Sequence, residues 1–382
     1  LTIIAILSEL GGLGIMTIGA ALFFIMGKRL SASSEVMTSR DLGKTNTLGL
    51  SGLIKNTVFF AVSWEFAAAT ILTGIIYFKG YEQNLDLAFI KGIYFSIMGF
   101  CNAGMSLHTD SLSPYLYDYG FQAVFMIIAT VGGLGFVVLS NISALNFREK
   151  NPLKRRRLSL HARVVLIMTA IIILSTFIIT YLLERNGAFA ELTESGKIMA
   201  SGFHAMVSRN AGFCTIPTNN LSDATLVWTM LIMFIGGAPG STAGGIKVTT
   251  LAVIIATLHS ASIDRRETII FKRTISNIVV RDALVILNVY LLTMFLGILL
   301  VSICEVEASN ITLKDIAFEV VSATTTTGLS TGITTQLTSW SKFWLVLCMF
   351  CGRLGPLTIV MTLARRTTQF YNKYPEENLT VG

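Results

Sequence analysis

Three stretches of this chain end alike. Phe95 to Met105 (FSIMGFCNAGM), Phe203 to Phe213 (FHAMVSRNAGF) and Phe318 to Leu329 (FEVVSATTTTGL) each pass through a short helix-compatible run to a glycine, at Gly104, Gly212 and Gly328. A second mark follows each one: glycine pairs or near-pairs at Gly132-Gly133, Gly236-Gly237 and Gly352 to Gly355 begin 28, 24 and 24 residues further on. A fourth mark, Gly11 to Gly14, has no partner upstream. Internal repetition fixes the architecture before other features do, because each copy is one supersecondary unit. On that plan about 60 to 70 residues belong ahead of Leu1, and the chain reads as N-terminally incomplete.

The sequence between the marks is apolar. Hydrophobic residues make up 53% of the 382 and charged residues 13%, outside the balance of a soluble domain. Val164 to Leu183 and Ala283 to Ile303 are uninterrupted and long enough to cross a hydrocarbon core of roughly 30 Å as helices, without the alternation of a β-barrel. The fold class predicted is an all-α integral membrane protein, a pseudo-fourfold repeat of span, re-entrant half-length helix, filter loop and span, with its first repeat incomplete. Residues 1–52 hold the last helix of that first unit, Leu1 to Met26, and a linker. Residues 53–150 form the second unit, with Leu53 to Phe78, Leu87 to Phe100, the loop Cys101 to Ser106, and Phe121 to Ile142. Residues 151–275 form the third, with Val164 to Leu183, Lys197 to Val207, Ser208 to Phe213, and Leu226 to Leu258. Residues 276–382 form the fourth and a tail, with Ala283 to Ile303, Leu313 to Ala323, Thr324 to Ser330, and Phe343 to Ala364.

Charge gives the orientation. Of 29 Lys and Arg, 20 fall in the connections between units and in the tail, against 7 around the half-helices. By the positive-inside rule the connections and C-terminus are cytoplasmic, and the half-helices enter from outside. The net charge of +7 therefore reports topology and not nucleic-acid binding. Acids on the outer side, including Asp86, Asp110, Asp118, Glu184, Glu191, Glu194, Glu305 and Glu307, predict a surface that concentrates cations at an entrance. The five scattered cysteines, Cys348-x-x-Cys351 included, read as packing residues, and the four histidines show no metal spacing.

The repeated loop carries the chemistry. Non-helical backbone at membrane depth is tolerated only where it is buried in protein or lines a wet cavity. A half-helix stopping at mid-membrane points its partly negative C-terminal end inward, which favours a cation. The turn that follows can aim carbonyl oxygens at an axis, as in selective cation pores. The candidate filter residues are Cys101, Asn102, Ala103, Gly104, Arg209, Asn210, Ala211, Gly212, Thr326, Thr327, Gly328 and Leu329. One such glycine would be explained by close helix packing. Three at matched positions favour a pore.

The four-unit plan, the loops Asn102-Ala103-Gly104-Met105, Arg209-Asn210-Ala211-Gly212-Phe213 and Thr326-Thr327-Gly328-Leu329-Ser330, and the downstream glycine marks resemble the Trk/Ktr/HKT superfamily of potassium transporters, nearest its bacterial Ktr and Trk membrane subunits. The resemblance implies a single-chain pore in the plasma (inner) membrane, usually dimeric, moving potassium inward and in some members sodium, with potassium held at filter carbonyls. It also implies a cytosolic nucleotide-binding ring of the RCK/KTN type as regulator. No cofactor is expected in this chain.

The third unit departs from its siblings. Where the others read as one continuous final helix, Met233 to Val248 contains Pro239 and the glycines Gly236, Gly237, Gly240, Gly244 and Gly245, which cannot hold a helix together. A phosphate-binding loop is excluded, since Lys247 follows Ile246 and precedes Val248. The candidate gate comprises Gly236, Gly237, Ala238, Pro239, Gly240, Ser241, Thr242, Ala243, Gly244, Gly245, Lys247 and Arg353, a role the resembling family gives to the matching loop. Arg353, Lys247, Glu65 and Glu9 are charges at membrane depth and call for a function or a partner.

A potassium-uptake pore gated by an intramembrane loop is the leading function. The alternative is an alternating-access secondary carrier for a cation or small solute. Repeats running in one direction favour the pore, and nothing in the pattern assembles an enzyme's acid, base or nucleophile.

Overall fold

The computed structural model describes residues 2–14, 50–143, 158–265, 267–306 and 311–354. The predicted extension of the first span to Met26 and of the last to Ala364, and the basic connection around Lys154, lie outside those residues. Three long helices organise the rest: α2 (Leu50–Phe78), α6 (Leu160–Glu184) and α10 (Asn277–Cys304). All three are long and apolar enough to cross a membrane, α2 over Val58–Phe78. Phe59, Phe66, Ile171, Leu174, Leu292 and Phe295 on them are each more than half exposed. Apolar surface on that scale needs lipid around it.

Short helices follow each long one. The element α1 is Thr2–Leu13; α3 (Leu85–Phe100), α7 (Glu194–Val207) and α11 (Leu313–Thr325) contain 16, 14 and 13 residues. At about 1.5 Å per residue they extend roughly 20–24 Å, too short to span. Asn84, Thr193 and Thr312 cap their N-termini by accepting from Asp86 N, Gly196 N and Asp315 N, and Asp86, Glu194 and Asp315 place negative charge in the first turn. Phe95, Phe203 and Phe318 are buried in their middles.

Two of the predicted final spans are broken. Asp223–Phe234 (α8) and Val248–Ser262 (α9) are separated by the glycine-rich loop, as expected. The single span predicted over Phe121 to Ile142 is instead α4 (Tyr119–Leu134) and α5 (Phe136–Ser143), which meet at 101°. Gly135 makes the bend with φ +81°, and a Cβ there would lie 2.8 Å from the carbonyl oxygen of Pro239. The break therefore follows from the approach of the glycine-rich loop, and the predicted break at 236–245 is one of two among the described residues. The last predicted span, α12 (Ser339–Leu354), is continuous through the described residues.

The chain is not wholly helical. Between α9 and α10, β1 (Thr268–Ile270) pairs antiparallel with β2 (Arg273–Ile275). Phe271 and Lys272 form the turn with φ +47° and +62°, the backbone sense of a two-residue hairpin turn that matches strand twist. The Arg163 guanidinium sits 5.7 Å from the Phe271 ring centroid.

Several acids read as loop charges are buried braces. Glu184, wholly buried at the end of α6, accepts from Ser222 N at 2.9 Å and Ser222 Oγ at 2.6 Å, the N-cap of α8. Glu305, just past α10, accepts from Thr338 N and Thr338 Oγ1 at 2.8 Å and Ser341 Oγ at 2.6 Å, where α12 begins. Burial alone would raise the Glu305 carboxyl, yet the Ser341 and Thr338 donors hold it below its ordinary range. Buried Asp118 caps α4 and pairs with Lys79 at 2.6 Å. These three are structural braces, whereas Asp86, Asp110, Glu191 and Glu194 of the predicted acidic surface are exposed.

Tyr115 stacks on Phe121 at 3.9 Å, and Phe125 of α4 meets Phe213, in the loop after α7, edge-on at 4.8 Å.

Candidate functional site

The three loop glycines meet. A Cβ on Gly212 would collide with the Thr327 carbonyl oxygen and would lie 2.9 Å from the Cα of Gly104 and 3.1 Å from that of Gly328. One on Gly104 would lie 3.4 Å from the carbonyl oxygens of Ala211 and Thr327. All three glycines have positive φ, +69° at Gly104, +70° at Gly212 and +94° at Gly328. Their conformation and their contacts both exclude a side chain.

Around this point most of the candidate filter side chains are buried. Cys101, Arg209, Asn210, Ala211, Thr327 and Leu329 are buried. Ala103 packs against the apolar core beside Phe100. Thr326 ends α11 in the left-handed conformation, φ +53°. Arg209 Nη2 lies 3.0 Å from where a Cβ would stand on Gly133. Asn102, also left-handed, sends its Nδ2 to Phe100 O, Ala129 O and Thr242 Oγ1 at 3.2, 3.3 and 2.9 Å. A predicted filter residue thus holds a predicted gate residue.

The downstream glycine marks have a physical role. A Cβ on Gly132 would strike the carbonyl of Phe100, and one on Gly352 the carbonyl of Thr324. On Gly12 it would lie 2.7 Å from the Cys101 Sγ. These three marks let a helix reach the end of a half-helix, the close approach that small residues permit in membranes, whereas Gly236 packs against Gly244 of its own loop.

The loop between α8 and α9 is tied down along its length. Gly236 N donates to Ile246 O at 2.8 Å and Val248 N to Gly237 O at 3.1 Å, which closes the loop at its base. Ala238 N reaches Gly133 O at 3.1 Å, Phe136 N reaches Gly240 O at 3.1 Å and Thr242 N reaches Gly132 O at 3.4 Å, so the break at Gly135 and the loop satisfy each other's backbone. Ser241 Oγ bonds Ala238 O at 2.6 Å, and Gly240 and Gly245 have φ +70° and +69°. Gly244 lies against Thr325 O and Thr326 Oγ1. Thr242 Oγ1 donates to Phe100 O at 2.9 Å. Two cations complete the loop: Lys247 Nζ donates to Ala243 O at 2.5 Å, and Arg353 Nη1 to Thr242 O at 3.0 Å.

The other charges at membrane depth gather beside Cys101. Its Sγ donates to Glu9 Oε2 at 3.1 Å, and the ligand atoms of Glu9, Glu65 and Cys101 lie within 4.8 Å of one another. His204 Nε2 shares a hydrogen bond with Thr229 Oγ1 at 3.0 Å, in keeping with a packing role.

The sequence model of the TrkH family, described as cation transport protein, matches residues 1–374. The chain belongs to this family. It is 33% identical over its whole length to the Ktr system potassium uptake protein B of Bacillus subtilis, covering 83% of that protein. To the potassium/sodium uptake protein NtpJ of Enterococcus hirae it is also 33% identical, again over all of this chain and 83% of the relative. Among solved structures, the potassium transporter TrkH from Vibrio parahaemolyticus aligns with a TM-score of 0.67 at 18% identity, over 96% of this chain and 72% of that one. The TrkH-family fold is therefore the fold of this chain.

Two features of this TrkH-family chain escape the spacing of the glycines. Gly135 sits in an apolar run that reads as an ordinary span. Glu319, buried in α11, accepts from Ser330 Oγ and from Thr331 N and Thr334 Oγ1 at 3.1 and 2.9 Å. Its signal in the sequence is a lone carboxylate in the apolar middle of a half-helix.

Proposed function

We propose that this chain takes up potassium across the plasma membrane through a selective pore. The meeting of Gly104, Gly212 and Gly328 carries this reading, because three loops from three units share one point with backbone carbonyls beside it. Such a ring of carbonyls can stand in for the hydration shell of a cation. The half-helices α3, α7 and α11 act as pore helices, their C-terminal ends directed at the ion. The potassium uptake protein and the potassium/sodium uptake protein among its relatives favour potassium, with sodium as a second ion. On this reading the repeats are pseudo-fourfold, divided as 1–52, 53–150, 151–275 and 276–382, with connections and C-terminus cytoplasmic.

The loop 236–245 is the gate, held shut by Thr242, Lys247 and Arg353. The positive ends of Lys247 and Arg353 beneath the loops raise the barrier to a cation until the loop moves. A second copy of the chain and a cytosolic nucleotide-binding ring are the proposed partners, on the family resemblance.

Potassium or rubidium flux into liposomes containing the purified protein tests the function. Uncoupled, saturable cation flux that discriminates potassium from sodium is expected. Solute-dependent exchange without net cation flux would establish a carrier instead.

A further inference from the structure

One position is shared by the three half-helices, the residue after the buried phenylalanine: Ser96, His204 and Glu319. Each is polar, and each braces its half-helix against something different. Ser96 Oγ donates to Glu65 O at 2.6 Å, on the first span of its unit. His204 bonds Thr229 at 3.0 Å, on the last helix of its unit. Glu319 alone reaches the loop itself, on the far side of the glycine.

The Glu319 contacts are restrictive. Oε1 takes the Thr331 main-chain N–H at 3.1 Å, a donor that cannot reverse its role, and the Ser330 hydroxyl. Oε2 takes Thr334 Oγ1 at 2.9 Å. Ser330 Oγ in turn accepts from Gly332 N at 2.9 Å and contacts Thr334 Oγ1 at 3.1 Å, so one carboxylate organises residues 330–334. On the other side of Gly328, Ser322 Oγ accepts from Gly328 N at 3.1 Å, and Thr325 Oγ1 lies 2.9 Å from Thr327 Oγ1. The fourth loop is thus fixed from within on both sides of its glycine. In the third loop the described side chains do less: Asn210 Nδ2 and Oδ1 and Ser208 Oγ, all buried, have no hydrogen-bond partner among the described residues.

We infer that Glu319 is a specificity-determining positioning residue of the pore: its carboxylate holds residues 330–334 to α11 and thereby sets where the Thr327 and Gly328 carbonyls face the ion. The inference rests on the proposed pore function. An ionised carboxylate suits the task because it only accepts, and all three partners are able to donate. Charge-assisted bonds of this kind hold geometry more tightly than neutral ones. Selectivity depends on the number and rigidity of the carbonyls around the ion, so loosening one wall of the ring degrades discrimination before it abolishes conduction.

The test compares potassium and sodium flux into liposomes for the intact protein and for Glu319→Gln, Glu319→Asp and Thr334→Val. Glu319→Gln removes the charge and one acceptor at nearly constant volume. Its potassium-over-sodium ratio is expected to fall roughly threefold to tenfold, the scale of one ordinary net hydrogen bond, since Gln keeps part of the acceptor set, with Glu319→Asp intermediate. Thr334→Val leaves Glu319 in place and is expected to shift the ratio in the same direction, which keeps the test informative should Glu319→Gln fail to yield monodisperse protein. A purely structural role would lower the number of working pores and leave the ratio unmoved. An unchanged ratio in Thr334→Val and in every folded Glu319 variant, with flux present, overturns the inference. Absence of cation flux in the unmodified protein would instead overturn the pore function on which it rests.

Discussion

Arg353 Nη1 donates to the main-chain oxygen of Thr242 at 3.0 Å, joining the last described helix to the loop between α8 and α9. Thr242 is bonded on every side. Its N–H goes to Gly132 O, and its hydroxyl lies between Phe100 O and the Asn102 amide. One residue of the proposed gate is therefore in contact with α4, with α12 and with a loop of the proposed filter.

Removing the Arg353 guanidinium is expected to open the pore. A hydrogen bond from a charged group contributes about 1.5–3 kcal/mol, so Arg353→Ala should raise basal rubidium uptake by roughly tenfold or more if the loop is the barrier. Equal uptake by wild type and variant, at equal amounts of folded protein, would place the barrier elsewhere.

Thr242→Val should affect gating and selectivity together. It leaves the Asn102 amide with its two carbonyl partners and deprives Phe100 O of the hydroxyl, a loss of about 1 kcal/mol per bond. A double-mutant cycle with Asn102→Ala, read in both basal flux and ion ratio, should give a coupling of at least about 0.5 kcal/mol. Additive effects would mean that the two residues act independently.

The three loop glycines are not equally sensitive. A Cβ on Gly212 would meet the Thr327 carbonyl, whereas on Gly328 the nearest neighbours, the Cα atoms of Gly212 and Gly104, are 3.6 and 3.7 Å away. Both substitutions carry the backbone cost of positive φ, on the order of 1 kcal/mol. Gly212→Ser should therefore lower potassium-over-sodium selectivity more than Gly328→Ser does. The reverse order, measured as relative permeability, would show that the described contacts do not govern the ring.

Glu305 gives a pH dependence with a definite sign. Its folded carboxyl titrates below its unfolded value, which is about 4.3 for a glutamate, so its stabilisation is present above that pH and is lost as pH falls through the folded value. Thermal unfolding in detergent should show Glu305→Gln destabilised at neutral pH, with the gap to wild type narrowing in acid. A gap that stays constant down to the most acidic accessible pH would refute the role of the ionised brace.

The long helices, the half-helices and the glycines at their ends were legible because lipid imposes one rule on them: apolar length where the backbone is helical, and glycine where it is not. The loop at 236–245 was legible from local chemistry, since five glycines and Pro239 within a few residues leave no helix to continue there. The bend at Gly135 was not, because its cause is a neighbour's carbonyl and not a local breaker. Glu184 and Glu305 look like solvated loop acids in one dimension, and only folding brings Ser222 and Thr338 to them. The short hairpin at 268–275 lacks the Asn-Gly or Asp-Gly turn that would have announced it, as Phe271 and Lys272 take up the left-handed backbone instead.

The facing breaks at Gly135 and in the loop set a thermodynamic load on any opening motion. Three main-chain hydrogen bonds cross between them, Ala238 to Gly133, Phe136 to Gly240 and Thr242 to Gly132. At about 0.5–1.5 kcal/mol each they would, on the proposed gating role of the loop, favour the closed form by roughly ten- to a thousandfold. If the loop is the proposed gate, a regulator that opens it must bind the open form more tightly by at least that factor, so the affinity difference between the two forms, and not the affinity itself, is what the proposed partner would have to supply.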